Sequence, residues 1–284
     1  MKIFRNLLLI LATVFIFELT FTKDANAASC TVTDGVYSAD EVNTGFCEGT
    51  PDLYEVVIYQ LYLCTSSPTG PTTTTAADLD AGGCVLTFNN ASGSTASIAQ
   101  GESLDLSGTF TRPPDGVYTH GYAKLDNTFG ITASLQFDGD VTGQTGGTGI
   151  FCATVAGSGT SNTEGDSTST SVCSTSPLTA GKFVETLEDF GAESFEATGT
   201  AENINGTTAD ITGYLVDTNE YLATEDGDVD KLHGLVTFAD SVTMNSSVSS
   251  ITLSFNVGSG MSLYPSGSGL SMGSGPFQAI ITAN

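Results

Sequence analysis

The chain has 284 residues, and its 32 acidic residues outnumber seven Lys and Arg, which gives a formal net charge of −25. Such a surface repels phosphate polymers and anionic lipid headgroups, which excludes nucleic acid as a partner and argues against insertion of the mature protein into a membrane. Hydrophobic residues still make up 39%, including 16 Phe and nine Tyr, enough to bury a core.

The first 27 residues have the pattern of a cleaved export signal. Lys2 and Arg5 precede an eleven-residue, largely apolar run over residues 7–17, and Ala25-Asn26-Ala27 matches a small-x-small cleavage site. The run is too short to cross a hydrocarbon core of about 30 Å. We therefore expect residues 1–27 to be removed and the mature protein to be secreted to the extracellular space or cell surface, with the periplasm as a compartment of transit.

The mature chain would contain very few basic residues. Loss of residues 1–27 removes three of the seven basic residues and two of the 32 acidic ones, leaving four against 30 and a net charge of −26. The four are Arg112, Lys124, Lys182 and Lys231. Because trypsin-like proteases cut after Lys and Arg, this composition is typical of a protein that persists outside the cell.

Six cysteines in an exported chain predict three disulfides. They form consecutive pairs with 16, 19 and 20 residues between the members. The predicted bridges are Cys30–Cys47, Cys64–Cys84 and Cys152–Cys173. The second and third pairs enclose Thr/Ser/Gly-rich inserts, which we expect to be floppy loops displayed outward. Each bridge should stabilise the fold by about 3 kcal/mol because it lowers the conformational entropy of the unfolded chain.

The segment YEVVIYQLYLC, residues 54–64, is apolar on both alternating faces. A strand of this kind must be covered on both sides. One interpretation is a central strand within the core. The other is a strand whose face with Val56, Ile58 and Tyr62 forms a subunit contact.

Alternation with a period of two continues along the chain. Residues 117–125 and 129–137 predict two strands of a hairpin joined by Asp126-Asn127-Thr128. Further strands are predicted at residues 97–106, 149–155, 209–216, 234–240, 251–257 and 277–283. From Lys182 to Gly191, a short helix competes with another strand.

About ten to twelve such strands, punctuated by Gly, Asn and Asp, predict an all-β fold. We expect a β-sandwich or jelly-roll-like domain, stapled by disulfides and carrying long Thr/Ser/Gly-rich loops. Residues 28–284 are predicted to form one extracellular domain, with a subdivision near residues 157–181 as the alternative.

One acidic loop is a candidate metal site. Asp226, Asp228 and Asp230 alternate in sequence, and three such carboxylates can converge on a hard cation such as calcium. A solvated acidic turn is the competing interpretation. No other cofactor is predicted.

No catalytic residue is predicted. The Gly-x-Ser-x-Gly pattern around Ser271 lies in a run where Gly and Ser are so frequent that a match is expected by chance. His120 and His233 both precede it, whereas the hydrolase fold that uses this motif places its His after the Ser.

These patterns favour a non-enzymatic extracellular structural protein, a self-associating subunit of a surface layer, fibre or pilus whose partner is another copy of itself. The alternative is an adhesin or carbohydrate-binding module that holds a glycan or surface ligand with the help of calcium. A secreted hydrolase using a carboxylate pair ranks third, because no aromatic-rich cleft pattern accompanies the acidic residues.

Overall fold

The computed structural model describes residues 29–99, 106–161, 171–191, 193–202, 208–248, 251–267 and 269–283. Within these residues strands dominate, and helical structure is limited to α1 (Ala39–Thr44) and a single 3-10 turn at Asp226–Asp228. The all-β prediction is therefore confirmed. No helix in this part of the chain is long and apolar enough to span a membrane.

Nineteen strands occur in the described residues. In chain order they are β1 Val32–Thr33, β2 Val36–Tyr37, β3 Cys47–Gly49, β4 Leu53–Cys64, β5 Cys84–Ile98, β6 Thr109–Phe110, β7 Gly116–Thr132, β8 Ser134–Thr142, β9 Thr148–Thr154, β10 Gly157–Ser161, β11 Ser171–Ser174, β12 Phe183–Leu187, β13 Glu196–Glu202, β14 Thr208–Val216, β15 Lys231–Met244, β16 Ile251–Asn256, β17 Met261–Ser266, β18 Gly269–Ser274 and β19 Gln278–Ala283. The segment from Lys182 thus contains a strand, not the competing helix.

The largest sheet, which we call the central sheet, has the order β13-β14-β15-β7-β4-β5-β6, with β12 pairing with β7 and β10 pairing with β12. A second sheet has the order β1-β2-β8-β9-β11, a third β18-β17-β3, and β16 pairs with β19. One main core joins all four sheets through large side chains such as Tyr54, Phe137, Phe255 and Leu263. This is a sandwich-like arrangement.

Strand β4 is a central strand, lying between β5 and β7. Val56 and Ile58 are only 1% and 0% exposed and pack into the main core of their own chain. Their predicted role in a subunit contact is therefore corrected. A bulge around Gln60 reverses the alternation, so that Leu61 again faces this core while Tyr62 lies half-buried on the other face. This reversal explains why both faces look apolar in the sequence.

The predicted hairpin at residues 117–137 is wrong. Strand β7 runs straight through Asp126-Asn127-Thr128, and β8 begins after Ala133 in a different sheet. The side chain of Asn127 is buried, and its Nδ2 donates to the carbonyl of Leu187 at 3.0 Å. Asparagine favours turns, but here its side-chain amide is hydrogen-bonded by a neighbouring strand. The alternation of apolar and polar residues therefore continues through it as one strand.

The three disulfides join the predicted pairs, Cys30–Cys47, Cys64–Cys84 and Cys152–Cys173. In the second and third, the two cysteines lie directly opposite each other on adjacent antiparallel strands. Their Cα atoms are 3.9 and 4.1 Å apart. These two bridges therefore reinforce strand pairs at the point where each insert leaves its sheet.

The insert at residues 65–83, which we call the cap, packs on the central sheet and is not the flexible loop that its composition predicts. Thr69 and Asp78 exchange backbone hydrogen bonds of 3.3 and 3.0 Å. Ala77 and Leu79 pack against a hydrophobic cluster on the central sheet. A methyl group at Gly70 would lie 2.6 Å from the Tyr214 hydroxyl, so the backbone lies directly against the sheet. Of the other insert, residues 162–170 lie outside the described residues.

The hydrophobic pattern of the sequence does not predict helix α1, because six residues are fewer than two helical turns. Its start nonetheless has a local signal, Ser38 followed three residues later by Glu41, the pattern of a capping box. The Ser38 hydroxyl accepts from the Glu41 amide, and Asp138 Oδ1 accepts from the Ala39 amide at 2.8 Å. Asp138 therefore anchors the helix to β8.

Candidate interaction face on the central sheet

The side of the central sheet that points away from the main core carries three lysines with their carboxylate partners, together with tyrosine and amide side chains. Residues directly opposite one another in antiparallel strands point to the same side. The register places Glu55 opposite Gly130, His233 opposite Lys124, and Lys231 opposite Asp126. Leu125 and Leu232, which alternate with these residues, belong to the main core. We call the side bearing Glu55, Lys124 and Lys231 the outer face.

Three of the four basic residues that follow residue 27 lie on the outer face. Lys124 Nζ contacts both carboxylate oxygens of Glu220, at 2.6 and 2.7 Å. Lys231 Nζ pairs with the carboxylate of Asp230. The third, Lys182, is described next, and each of the three is neutralised by a carboxylate of the same chain.

Lys182 reaches the outer face by crossing a glycine. Its Nζ lies 2.9 Å from Glu55 Oε2, and Ser97 Oγ donates to Glu55 Oε1 at 3.1 Å. A methyl group at Gly130 would lie 3.1 Å from Glu55 Cβ and 3.2 Å from Lys182 Cδ. The missing side chain at position 130 therefore lets the lysine lie flat across β7 to reach β4.

Tyr59 occupies the centre of the outer face. Its hydroxyl donates to Asp126 Oδ2 at 3.0 Å, and Lys231 Nζ lies 5.5 Å from the ring centroid. Burial, followed by the neighbouring Asp126 carboxylate, raises the pKa of the Tyr59 hydroxyl. Gly93, at φ +78°, leaves room for the ring, since a methyl group there would lie 3.1 Å from it and 2.3 Å from Val57. The ring is thus held between β5, β7 and β15.

A separate chain of hydrogen bonds joins Tyr62, Gln60 and Asn89. The Tyr62 hydroxyl donates to Gln60 Oε1 at 2.9 Å, and Gln60 Nε2 donates to Asn89 Oδ1 at 3.0 Å. All three side chains are half-buried. The outer face therefore combines aromatic rings, side-chain amides and paired charges on a regular sheet.

The ion pairs contribute little to the free energy of folding, but they compensate negative charge locally. Only the lysine of the Lys124 pair is well shielded, at 13% exposed, and exposed pairs contribute about 0–1 kcal/mol each. The fourth basic residue, Arg112, lies in the connection between β6 and β7, where it pairs with Asp115 at 2.7 Å. On the outer face the carboxylates of Glu55, Asp126, Glu220 and Asp230 therefore outnumber the three lysines, which compensate only part of the local negative charge.

On the same side of the central sheet, the cap covers a buried tyrosine and histidine. Tyr122 Oη lies 3.0 Å from His233 Nδ1, and the two rings meet edge to face. His233 is 0% exposed, and its Nε2 has no hydrogen-bond partner among the described residues. Burial, with smaller contributions from Lys124 and Lys231, lowers the pKa of His233 to about 3. The imidazole is therefore neutral at physiological pH.

Two loops make this cover. The amide of Leu222, from the segment after β14, donates to the carbonyl of Thr72 in the cap at 2.9 Å. Leu222, Ala77 and Leu79 pack against the cluster that contains Tyr122 and Tyr214. Because His233 has no exposed surface, acid–base chemistry on a soluble substrate has no access to it.

The acidic loop does not bring its three carboxylates together. Asp226 and Asp228 lie in a 3-10 turn, whereas Asp230 pairs with Lys231. Across the described residues, no group of three or more His, Cys, Asp or Glu side chains is arranged to hold a metal ion. Calcium at this loop would have to compete with Lys231 for the Asp230 carboxylate.

We expect calcium to raise the melting temperature of the protein no more than magnesium does at the same concentration. Both cations screen the acidic surface, but only calcium would select a converging oxygen site. Differential scanning calorimetry with each cation checks this. A calcium-specific rise that is lost in Asp228→Asn would instead support the predicted metal site.

Ser271 lies within the regular strand β18 and is completely buried. A nucleophile elbow requires a sharp strand-to-helix turn that exposes the serine hydroxyl. His120 and His233 both belong to the central sheet, His120 on β7 and His233 on β15. The Gly-x-Ser-x-Gly pattern is here part of a strand.

Three buried carboxylates, Glu48, Glu185 and Asp189, were missed by sequence reasoning. Glu185 is 4% exposed, and its Oε2 accepts from the Ser274 amide. Glu48 is also buried, and burial raises the pKa of its carboxyl group. The period of two places Glu185 on the same side of β12 as Phe183, a signal that could have found this residue.

Comparison with known proteins yields no relative from which a role could be carried over. No protein-family model, no curated protein and no solved structure matches the chain. The outer face and the buried Tyr122–His233 pair are therefore interpreted from their own chemistry.

Proposed function

We propose that this protein is a secreted structural protein of the cell surface or extracellular space, a self-associating subunit of a surface layer, fibre or pilus without enzymatic activity. The observation that carries the proposal is the placement of the four basic residues that follow residue 27. All four are held in ion pairs within the folded chain. These residues are also the sites where trypsin-like proteases cut.

Each of the four peptide bonds is protected in its own way. Lys124 lies in the middle of β7, and Lys231 begins β15. The carbonyl of Lys182 accepts from the Gly157 amide at 3.2 Å. Arg112 is followed by Pro113, which disfavours cleavage by trypsin. Proteases need a locally unfolded segment, so these placements favour long survival outside a cell.

The disulfides support the same proposal. Stable disulfides form in oxidising compartments, and all six cysteines are paired. Two of the bridges link directly opposed strand residues, which limits local opening where the inserts begin. An exported subunit that must last would benefit from both properties.

We expect the folded mature protein to stay intact in trypsin under conditions that digest its reduced and alkylated form completely. Gel electrophoresis and peptide mass mapping over time make the comparison. Prompt cleavage of the folded form after Lys182, the most exposed of the three lysines, would remove the main support for the proposal.

Self-association must overcome the charge of −26 on each predicted mature chain. Screening acts over about 8 Å at physiological ionic strength, so we expect assembly to require salt or divalent cations. Light scattering and electron microscopy of the mature protein across a salt series provide the test. Particles that stay monodisperse and monomeric throughout would contradict the proposal.

The tyrosines and amides of the outer face favour a second candidate, a glycan-binding module. Tyr59 and Tyr62 are half-buried, and Tyr62 is hydrogen-bonded to Gln60, which in turn donates to Asn89. Few precisely placed polar groups next to aromatic surface are typical of small-ligand sites. Binding to a glycan array that Tyr59→Ser abolishes would favour this candidate.

A further inference from the structure

We propose that Asn245 is a glycosylation site, whose side-chain nitrogen accepts an oligosaccharide from a lipid-linked donor. The segment Asn245-Ser246-Ser247 has the pattern Asn-x-Ser, with x other than Pro, at which sugars are attached to asparagine in secreted proteins. The inference rests on the secretion that the proposed function includes, and it does not depend on self-association.

The sequence pattern alone does not select this asparagine. Ser and Thr are so frequent in the chain that the pattern also occurs at Asn90-Ala91-Ser92 and at Asn205-Gly206-Thr207. The motif at Asn205 lies outside the described residues, so the structure allows a comparison of the other two. These two differ in secondary structure, in exposure and in the hydrogen bonds of the asparagine side chain.

Asn245 begins an exposed turn directly after β15. Residues 245–247 are all exposed, and asparagine is a preferred first residue of such turns. Its backbone carbonyl accepts from the Val248 amide at 3.0 Å and from Arg112 Nη2 at 2.7 Å. The turn is therefore fixed to the surface by its backbone, and the Asn245 side chain takes no part in holding it to the neighbouring Arg112.

The hydrogen bonds of the Asn245 carboxamide leave its nitrogen free. The Ser247 amide donates to Oδ1 at 2.8 Å, and the Ser247 hydroxyl donates to the same oxygen. Nδ2 has no hydrogen-bond partner among the described residues. The serine that the motif requires thus binds the carboxamide oxygen, whereas the nitrogen that would attack a sugar keeps both of its hydrogens unpaired.

Asn90 has the opposite arrangement. It lies inside β5 and is half-buried, and its Nδ2 donates to the carbonyl of Ser107 at 2.6 Å. A nitrogen held against a backbone carbonyl within a strand is poorly placed to reach the sugar of a donor. Of the two motifs that can be compared, the structure therefore assigns the site to Asn245.

The reaction forms one bond and breaks one. Asn245 Nδ2 bonds to the anomeric carbon of the donor sugar, and the bond between this carbon and the donor's pyrophosphate oxygen breaks. The oxygen leaves with the electron pair, and Nδ2 releases one proton to a base of the transferase. The linked amide is neutral, so the attachment itself adds no charge to the acidic chain. It places a bulky, hydrated group beside Arg112, one of the four sites open to trypsin-like proteases.

The three motifs can be separated by one digestion. Cleavage of the reduced protein after lysine produces peptides 28–124, 183–231 and 232–284, which contain Asn90, Asn205 and Asn245, respectively. In mature protein isolated from the producing cells, we expect mass spectrometry to find peptide 232–284 heavier than its sequence by the mass of an oligosaccharide. Fragmentation of this peptide should place the excess mass on Asn245.

Variants expressed in the same cells test the motif. Asn245→Gln removes the acceptor, and Ser247→Ala keeps the asparagine but breaks the pattern, so we expect each to abolish the excess mass completely. Ser247→Thr preserves the hydroxyl and should retain the modification. Asn90→Gln is the matched control and should leave peptide 232–284 unchanged. Thermal melting of each variant establishes that the fold is retained.

Four results would overturn the proposal. Excess mass that survives Asn245→Gln would place the sugar on a hydroxyl side chain. A glycan on peptide 28–124 would show that the free nitrogen of the folded chain does not select the acceptor. An unmodified peptide 232–284, in protein recovered from the medium or the cell surface, would remove the glycan but leave the proposed function standing. Unmodified protein that is retained in the cytoplasm would remove both.

Discussion

Acidification is expected to destabilise the folded protein strongly, and substitution of His233 by Asn is expected to remove much of this sensitivity. In the unfolded chain His233 has the ordinary pKa of 6.5, whereas in the folded chain burial lowers it to about 3. Between about pH 6.5 and pH 3, His233 therefore binds a proton in the unfolded state but not in the folded state. The stabilising contribution is fully present above pH 6.5 and is lost as the pH falls towards 3.

The expected effect is large. Each unit of pKa difference corresponds to about 1.4 kcal/mol, so the loss between pH 7 and pH 4 is about 3 kcal/mol. His233→Asn will also lower stability at neutral pH, since Tyr122 loses its partner. The diagnostic quantity is therefore the slope of the unfolding free energy against pH, measured by urea denaturation.

His120→Asn is the matched control. Burial also lowers the pKa of His120, but this residue is half-buried instead of fully enclosed. We expect this variant to keep most of the acid sensitivity. An unchanged slope in His233→Asn, or an NMR titration of His233 near its ordinary pKa, would show that the imidazole is not shielded in solution.

Removal of the Cys64–Cys84 bridge is expected to lower stability by about 3 kcal/mol and to loosen the cap. The first effect follows from the loop entropy regained by the unfolded chain. The second follows from position, because Cys64 packs in the same cluster as Tyr122 and Tyr214, which the cap covers. The double variant Cys64→Ala/Cys84→Ala should therefore also expose His233 and move its pKa back towards 6.5.

The variant Cys30→Ala/Cys47→Ala separates the two effects. It opens a loop of similar length, 17 positions against 20, in a part of the fold away from the cap. We expect a comparable loss of stability without any change in the His233 titration. If the two double variants shift that titration equally, general loosening of the fold explains the result and the cap does not shield the histidine specifically.

The sequence predicted local features of this fold well. Alternation with a period of two identified strands such as β16 and β19, because side-chain direction along a strand depends on neighbouring residues alone. Cysteine spacing identified the pairing of all three disulfides. In both cases the information lies within a short stretch of chain.

The sequence failed where the decision depended on distant residues. Asp126-Asn127-Thr128 has the composition of a turn, but β12, about 60 residues later, satisfies Asn127 and the strand continues. The insert at residues 65–83 has the composition of a flexible loop, but the central sheet provides a surface on which its few apolar residues pack. Composition describes what a segment prefers alone and not what it meets after folding.

The sequence by itself determined that this is an acidic, disulfide-bonded, all-β protein, since strand alternation, cysteine spacing and net charge are properties of local segments or of the whole composition. Only the tertiary structure decided that Val56 and Ile58 are buried, that His233 is enclosed, and that three scattered lysines meet on one face. Lys182 and Glu55 are 127 positions apart in sequence and 2.9 Å apart in space. Such contacts arise from the order of strands in the sheet, which depends on interactions among all of the strands together.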